Sequence, residues 1–240
     1  MSPRITVIHA VHGAMSPARE AFSEVWPEAE LTHLLDDGLP GALKRAGTLT
    51  QPIAQRIRDL ATYAARAGAD GILFTCSAFT PAMDEARKDV RIPVHKPDEA
   101  MFREAIEVGH RIGVVATFSD AMQVAEPQIR KIAADRSISA QIRSKVVTDA
   151  FGADRETHDR LVAAAAAELA PQVDVICLAQ FSMAASRAAV QARVGALIPV
   201  LTSPIEAVKR LRADPHFRES AVVDDRGPQR ARPGLPAGTA

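Results

Sequence analysis

The sequence predicts an α/β protein with two similar domains, each built on a parallel sheet, related by a pseudo-twofold axis and separated by an inter-domain cleft. Apolar segments of strand length alternate with longer segments of helical period, as in parallel sheets with crossover helices. This alternation then occurs a second time at a nearly constant offset, which indicates a duplicated unit. A chain of 240 residues, 47% of them hydrophobic, provides enough apolar area for two such cores.

The first round of the pattern covers residues 5–89. Residues 5–11 and 70–75 are predicted strands, and residues 52–67 and 80–89 are predicted helices. Gly68 follows the earlier helix, where a glycine commonly ends a helix, and Pro81 suits the first turn of the later one. The strand at 70–75 is therefore bounded by a helix on each side.

The second round covers residues 111–201, with predicted strands at 111–117, 174–179 and 197–201 and predicted helices at 120–135 and 154–170. RITVI at residues 4–8 matches RIGVV 107 positions later, and DGILFTC at 70–76 matches DVICLAQ 104 positions later. IPV at 92–94 recurs 106 positions later. Three matches in the same order favour duplication over a chance likeness of strands.

The repeat also suggests domain boundaries. We predict that residues 1–100 together with 204–217 form the first domain and that residues 101–203 form the second. Residues 218–240 are rich in Arg, Asp, Gly and Pro, and we predict a disordered tail there.

The composition disfavours several classes of partner. The 29 basic and 29 acidic residues cancel, so no net field attracts the chain to nucleic acid or an anionic membrane. One Trp and one Tyr offer little for stacking on bases. The apolar stretches are shorter than the roughly 20 residues of a transmembrane helix, and the N-terminus lacks a signal-peptide pattern. We expect a cytoplasmic protein, and homo-oligomer formation stays open.

Cofactor binding has no support in the sequence. The two cysteines lack metal-ligand spacing, and neither common glycine-rich phosphate loop occurs. We therefore expect neither a metal nor an organic cofactor.

Candidate site residues follow the predicted strands, because ligands of open parallel sheets bind beyond the carboxyl ends of the strands. Small hydroxyl side chains beside backbone amides favour an anionic ligand, such as a small carboxylate. The residues assigned to substrate binding are His9, Ser16, Ser77, Ala78, Thr117, Phe118, Phe181 and Ser182. His33 is interpreted as a surface residue, and His158 is left open between a site and a surface role.

Cys76 is the strongest candidate for chemistry. It stands at the end of the strand at 70–75 and ahead of the helix at 80–89, where a helix dipole and backbone amides favour the thiolate. We therefore interpret Cys76 as an acid/base or a nucleophile. Cys177 lies inside its predicted strand and is interpreted as a buried structural residue.

With these motifs the chain resembles the aspartate/glutamate racemase superfamily, which also contains hydantoin racemases, maleate isomerase and arylmalonate decarboxylase, over roughly residues 4–212. Thr75-Cys76-Ser77-Ala78 is similar to the first cysteine motif of the family, and Ala116-Thr117 is similar to its anion-binding turn. The resemblance implies two α/β domains that face each other across a cleft, with a cysteine after the equivalent strand of each.

Two departures from the family pattern bear on the reaction. Gln180 stands where the second cysteine belongs, and residues 9–16 lack the aspartate-serine pair of the amino-acid racemases. An amide cannot exchange a proton with carbon, but it can donate a hydrogen bond to a developing enolate. We therefore assign catalysis to Cys76 and Gln180.

The predicted function is that of a cofactor-independent enzyme acting on a small carboxylate with a single thiol. Its reaction is a racemisation or isomerisation in the broad sense of the family, or a one-sided proton transfer such as a decarboxylation. The alternative is a two-domain protein that binds a small molecule without catalysis.

Overall fold

The computed structural model describes residues 2–217, apart from the side chain of Asp120, and these residues form two α/β halves. The tail predicted at residues 218–240 lies outside the described residues.

The first half contains a parallel sheet with the strand order β2-β1-β3-β4. In chain order its elements are β1 (Arg4–His9), α1 (Met15–Val25), β2 (Glu30–Leu35), α2 (Gly38–Ala46), α3 (Gln51–Arg66), β3 (Gly71–Phe74), α4 (Thr80–Asp89), β4 (Val94–His95) and α5 (Glu99–Val108). The central strands β1 and β3 are almost entirely buried, as expected for a sheet covered by helices on both faces.

The second half repeats the arrangement, with the strand order β6-β5-β7-β8. Its elements are β5 (Arg111–Ala116), α6 (Ser119–Asp135), β6 (Gln141–Val146), α7 (Arg155–Leu169), β7 (Val175–Leu178), α8 (Arg187–Val194), β8 (Val200–Thr202) and α9 (Ser203–Arg212). Together, the two four-stranded parallel sheets confirm the predicted fold class.

The strand register reproduces the repeat read from the sequence. Ile5 pairs with Gly71 in the first sheet, and Ile112 pairs with Val175 in the second, at the same offsets of 107 and 104. An arginine–aspartate pair is repeated as well. Arg4 pairs with Asp70 and Arg111 pairs with Asp174. In each pair the backbone N–H of the arginine also donates to the carboxylate over 2.8 Å.

Some element boundaries differ from the predicted ones. Strand β1 ends at His9, because Val11 is exposed and precedes a 3-10 turn at His12–Ala14. Strand β8 begins only at Val200, and Leu197 is 94% exposed. Helix α4 spans the predicted residues 80–89.

Helices α5 and α9 pack against each other and cross between the halves. Phe102 and Ile106 of α5 lie in the core around the second sheet, whereas Val208 and Leu211 of α9 lie in the core around the first. The assignment of residues 204–217 to the first domain stays a prediction, as do the exact boundaries.

The segments that follow the central strands contact the opposite half. The 3-10 turn Ser77–Phe79 after β3 contacts α6, and the 3-10 turn Phe181–Ser186 after β7 contacts α1. The two contacts are equivalent under the repeat, since α1 follows β1 and α6 follows β5. They bring the carboxyl ends of both sheets to the inter-domain cleft.

Candidate active site

Cys76 lies directly beyond β3, in extended backbone before the turn Ser77–Phe79. The four residues of β3 are buried, so a rigid strand holds the cysteine at the edge of the sheet. The side chain of Cys76 is partly exposed, and the backbone N–H of Ala78 donates a hydrogen bond to its sulfur. Cys177, in contrast, is completely buried in the core of the second half.

The predicted preference of Cys76 for the thiolate form is wrong. Burial raises the pKa of the thiol to about 11, the N–H of Ala78 opposes this only in part, and the charge of Asp98 raises it further. The dipole of α4 contributes little, because that helix begins only at Thr80 and such a dipole acts over about one turn. Cys76 is therefore a neutral thiol near neutral pH.

Asp98 is a site residue that the sequence reasoning did not select. It lies between β4 and α5 with 4% of its surface exposed, and its Oδ1 accepts a hydrogen bond from the Ser203 hydroxyl over 2.5 Å. The hydroxyl of Ser77, next to Cys76, donates to the same carboxylate. Burial raises the pKa of Asp98 to about 6 against the effect of these two hydroxyls. Its place directly after the Ile-Pro-Val repeat was the available signal.

Gln180 occupies the position beyond β7 that corresponds to Cys76. Its Oε1 accepts two hydrogen bonds from Thr117, one from the backbone N–H over 2.6 Å and one from the hydroxyl over 3.0 Å. Because the oxygen is held in this way, the Nε2 hydrogens point elsewhere and are donors. The hydroxyl of Thr117, which we predicted to bind substrate, thus donates to Gln180.

His9 is 1% exposed, and both of its ring nitrogens have protein partners. Nδ1 lies 3.0 Å from the Thr75 hydroxyl, and Nε2 lies 2.9 Å from Nδ1 of His33. The two imidazoles are stacked, and the Arg19 guanidinium donates to the far nitrogen of His33 over 3.4 Å. Burial, with His33 and Arg19, lowers the pKa of His9 to about 4.

This chain of side chains bears on two of the predicted histidine roles. His9 is buried with a protein partner on each ring nitrogen and holds Thr75 next to Cys76, and its contact with substrate stays a prediction. His33 is not a free surface residue, because it is partly buried against His9.

The remaining predicted substrate residues separate into two groups. Ala78 and Ser182 are exposed beside the two strand ends, and Phe118 is exposed in an edge-to-face pair with Phe151, with ring centroids 6.0 Å apart. Ser16 instead lies on the exposed surface of α1, where it donates to Glu20. Phe181 packs in the core of the first half at 5% exposure, so the structure assigns it a packing role where we predicted substrate contact.

A polar cluster around the buried Ser186 holds the turn that follows Gln180. The hydroxyl of Ser186 donates to Asp159 over 2.6 Å and lies 3.0 Å from Nδ1 of His158. Arg155 donates to the carbonyl oxygen of Ala185 over 2.5 Å. Because Ser186 is 1% exposed, this cluster supports the turn from the side of α7 and does not form a nucleophilic site.

Within residues 2–217, no group of three or more His, Cys, Asp or Glu side chains is arranged to hold a metal ion. No helix in the same range is long and apolar enough to cross a membrane.

The duplicated parallel-sheet frame, with a thiol beyond one central strand and a fixed amide beyond the other, defines an α/β enzyme whose site lies between two halves. Residues 6–211 match the family model described as Asp/Glu/Hydantoin racemase. The chain therefore belongs to the Asp/Glu/hydantoin racemase family, as the resemblance of its motifs indicated. This membership supports an isomerase, with a decarboxylase as the main enzymatic rival.

Solved structures of similar fold come from the same group of enzymes. Allantoin racemase from Klebsiella pneumoniae is 18% identical, with a TM-score of 0.68 over 93% of this chain and 89% of that chain. Aspartate racemase from Picrophilus torridus is 13% identical, with a TM-score of 0.66 over 88% and 93%. A glycine-to-cysteine variant of arylmalonate decarboxylase is 18% identical, with a TM-score of 0.55 over 97% of both chains. Identities this low establish the fold alone.

An uncharacterised protein of Schizosaccharomyces pombe is 28% identical over 148 residues, which are 60% of this chain. The match spans 63% of that relative, less than two thirds of its length.

Proposed function

We propose that this protein is a cofactor-independent enzyme that delivers a proton to one face of a small carboxylate substrate, with Cys76 as its single thiol. The observation that carries the proposal is the unequal pair of residues beyond the central strands. Cys76 follows β3, and Gln180, held by Thr117, follows β7. Only one of the two equivalent positions exchanges a proton with carbon.

The protonation state of Cys76 favours the role of an acid. With a pKa of about 11, roughly one thiol in three thousand is ionised at about pH 7.5. Such a group gives a proton more readily than it removes one. A decarboxylation uses it in this sense. The substrate loses CO2, the electron pair stays on the α-carbon as an enediolate, the Cys76 proton moves to that carbon, and water reprotonates the thiolate.

The surroundings supply the binding groups for such a substrate. The Nε2 hydrogens of Gln180 stabilise the negative charge that develops on the enediolate oxygen, which is a large effect in a site shielded from water. The exposed Ser182 hydroxyl and the exposed turn at Ala78 favour contact with the substrate carboxylate. Phe118 and Phe151 present an apolar surface beside the cleft, which suits a substrate with an apolar substituent.

The test is proton exchange in D2O, followed by NMR. Substituted malonates, hydantoins and acidic amino acids are incubated with the wild type, Cys76→Ala and Gln180→Cys, with Cys177→Ala as the matched cysteine control. We expect deuterium at one face only with the wild type, loss of turnover with Cys76→Ala, and added racemase activity with Gln180→Cys.

Three outcomes would contradict the proposal. Exchange that survives Cys76→Ala removes the thiol from the reaction. Exchange at both faces by the wild type requires a second base. Saturable binding of these compounds with no exchange supports the alternative, a binding protein without catalysis, which the raised pKa of Cys76 also permits. Cytoplasmic location and oligomeric state stay predictions.

A further inference from the structure

A cavity of about 330 Å³ lies away from the candidate active site, between β4 and the helices α4, α5 and α9. Four cationic side chains line it, namely Arg87, Lys96, Arg103 and Arg210, together with the two carboxylates Glu99 and Asp214. Within residues 2–217, none of the residues assigned to the candidate active site belongs to this lining. The cavity is therefore separate from the proposed chemistry.

One carboxylate forms ion pairs with three of the cations. Glu99 is 3.3 Å from Arg87, 3.1 Å from Lys96 and 3.0 Å from Arg103. Burial acts against ionisation of Glu99, but these three cations lower its pKa to about 2. Arg87 and Lys96 also reach Asp84, just outside the lining. Even with Asp84 included, the cations outnumber the carboxylates.

Arg210 carries the unbalanced charge. In the part of the chain that the structure describes, its guanidinium has no hydrogen-bond or ion-pair partner, although it lines the cavity. The nearby Asp214 is held by His95 over 3.2 Å. Because burial lowers the pKa of His95, that imidazole is neutral near neutral pH and adds no cation of its own. Among the residues that line this cavity the cations outnumber the carboxylates, and Arg210 is the lining cation that pairs with no carboxylate of residues 2–217.

We propose that this cavity binds a compact anion with at least two negative charges, such as a phosphate compound or a small dicarboxylate, with Arg210 as its main partner. Guanidinium groups bind planar or tetrahedral oxyanions through paired N–H donors, and the cavity is also lined by Arg103 of α5, whose Nε and Nη2 donate to Glu99. The volume is at the small end of the range of ligand pockets, which fits a ligand of this size. Ile92, Val94 and Ala100 contribute the apolar part of the lining.

The experiment is calorimetric titration of the full chain with inorganic pyrophosphate, with sodium chloride matching the ionic strength. The variants are Arg210→Gln, the matched control Arg45→Gln, and Ser182→Ala for the active site. Arg45 suits the control because it is also an exposed cation in the last turn of a helix. We expect one saturable site in the wild type and at least about fivefold weaker binding in Arg210→Gln, since a charge-assisted pair is lost. Arg45→Gln and Ser182→Ala are expected to bind as the wild type does.

Four results would overturn the proposal. These are no saturable binding up to about 10 mM pyrophosphate, wild-type affinity in Arg210→Gln, an equal loss of affinity in Arg45→Gln, and a loss in Ser182→Ala alone. The third indicates general screening of charge, and the fourth places the anion in the active site. Because catalysis is not measured, failure here leaves the proposed function untouched.

Discussion

Replacement of Asp98 by asparagine is expected to stabilise the protein at neutral pH. The native carboxyl is 4% exposed, and its pKa is about 6 compared with an ordinary value of 3.8. A raised pKa means that the native state binds the proton more tightly than the unfolded state. The stability that Asp98 contributes is therefore fully present below about pH 3.8 and is lost as the pH rises through about 6. The difference between the two values corresponds to about 3 kcal/mol.

The asparagine variant isolates this contribution. Its side-chain oxygen still accepts from Ser203 and Ser77, whereas the charge is gone. The free energy of unfolding of Asp98→Asn, relative to the wild type, should therefore rise by about 2.4 kcal/mol between about pH 4 and pH 7.5. Urea unfolding followed by the fluorescence of Trp26, a buried residue, measures it.

The pH dependence of the free energy of unfolding of the wild type alone would not reveal the contribution of Asp98, because His9 contributes with the opposite sign. Its pKa is lowered to about 4, so the unfolded state binds this proton more tightly, and the stability that His9 contributes rises with pH between about 4 and 6.5. The two contributions nearly cancel in the wild type, and Asp98→Asn should show the rising profile of His9. A stability difference that stays constant from about pH 4 to 7.5 would refute the assignment of a buried, raised-pKa carboxyl.

Three further predictions follow from the site and the frame. Iodoacetamide should alkylate Cys76 and spare the buried Cys177, with a rate that rises about tenfold per pH unit through the neutral range, and faster labelling of Cys177 would contradict the site. Gln180→Ala should lower kcat of any exchange reaction by about two orders of magnitude with no change in Cys76 labelling, and an unchanged kcat would exclude the amide from catalysis. Gly68→Ala should destabilise the protein by about 1–2 kcal/mol in urea unfolding, because Gly68 has φ +91° and an added Cβ would lie 2.8 Å from the Arg4 guanidinium; wild-type stability would show that this helix end tolerates a side chain.

The central strands were predictable, and the edge strands β2 and β6 were not. Strands β1, β3, β5 and β7 are buried on both faces and therefore appear as continuous apolar runs. The edge strands β2 and β6 have the sequences ELTHLL and QIRSKV, in which exposed polar residues interrupt the apolar ones. Their strand state depends on pairing with β1 and β5, which no local pattern reports.

The site was predictable in position and less so in chemistry. Cys76, Thr117 and Gln180 were found because the repeat marks the ends of equivalent strands. The pKa of Cys76 was not, because it depends on burial and on Asp98, a residue 22 positions later in the chain. The pairing of His9 with His33 likewise requires that β1 and β2 lie side by side. Long-range contacts of this kind set the electrostatics of a site and leave no trace in local sequence.

The two ends of the sheets show how a duplicated frame can hold an asymmetric site. At the amino ends both halves keep the same pair, Arg4 with Asp70 and Arg111 with Asp174. At the carboxyl ends the partners differ. In the first half, His9 of β1 forms a hydrogen bond with Thr75. The next side chain, the thiol of Cys76, has no hydrogen bond to a side chain of β1. In the second half the residue equivalent to Ala10 is Thr117, which fixes the oxygen of Gln180.

In each half, one polar side chain is therefore hydrogen-bonded across the two central strands, but the group that remains available for chemistry differs between the halves. The first half leaves a proton donor, and the second leaves an N–H donor that cannot exchange a proton with carbon. A symmetric pair of thiols would suit removal and return of a proton on opposite faces, whereas the reaction proposed above, protonation from one side against a stabilised enediolate, needs only one thiol. The asymmetry arises from side chains beyond the strands, where a substitution changes the chemistry without disturbing the buried register that builds the two sheets.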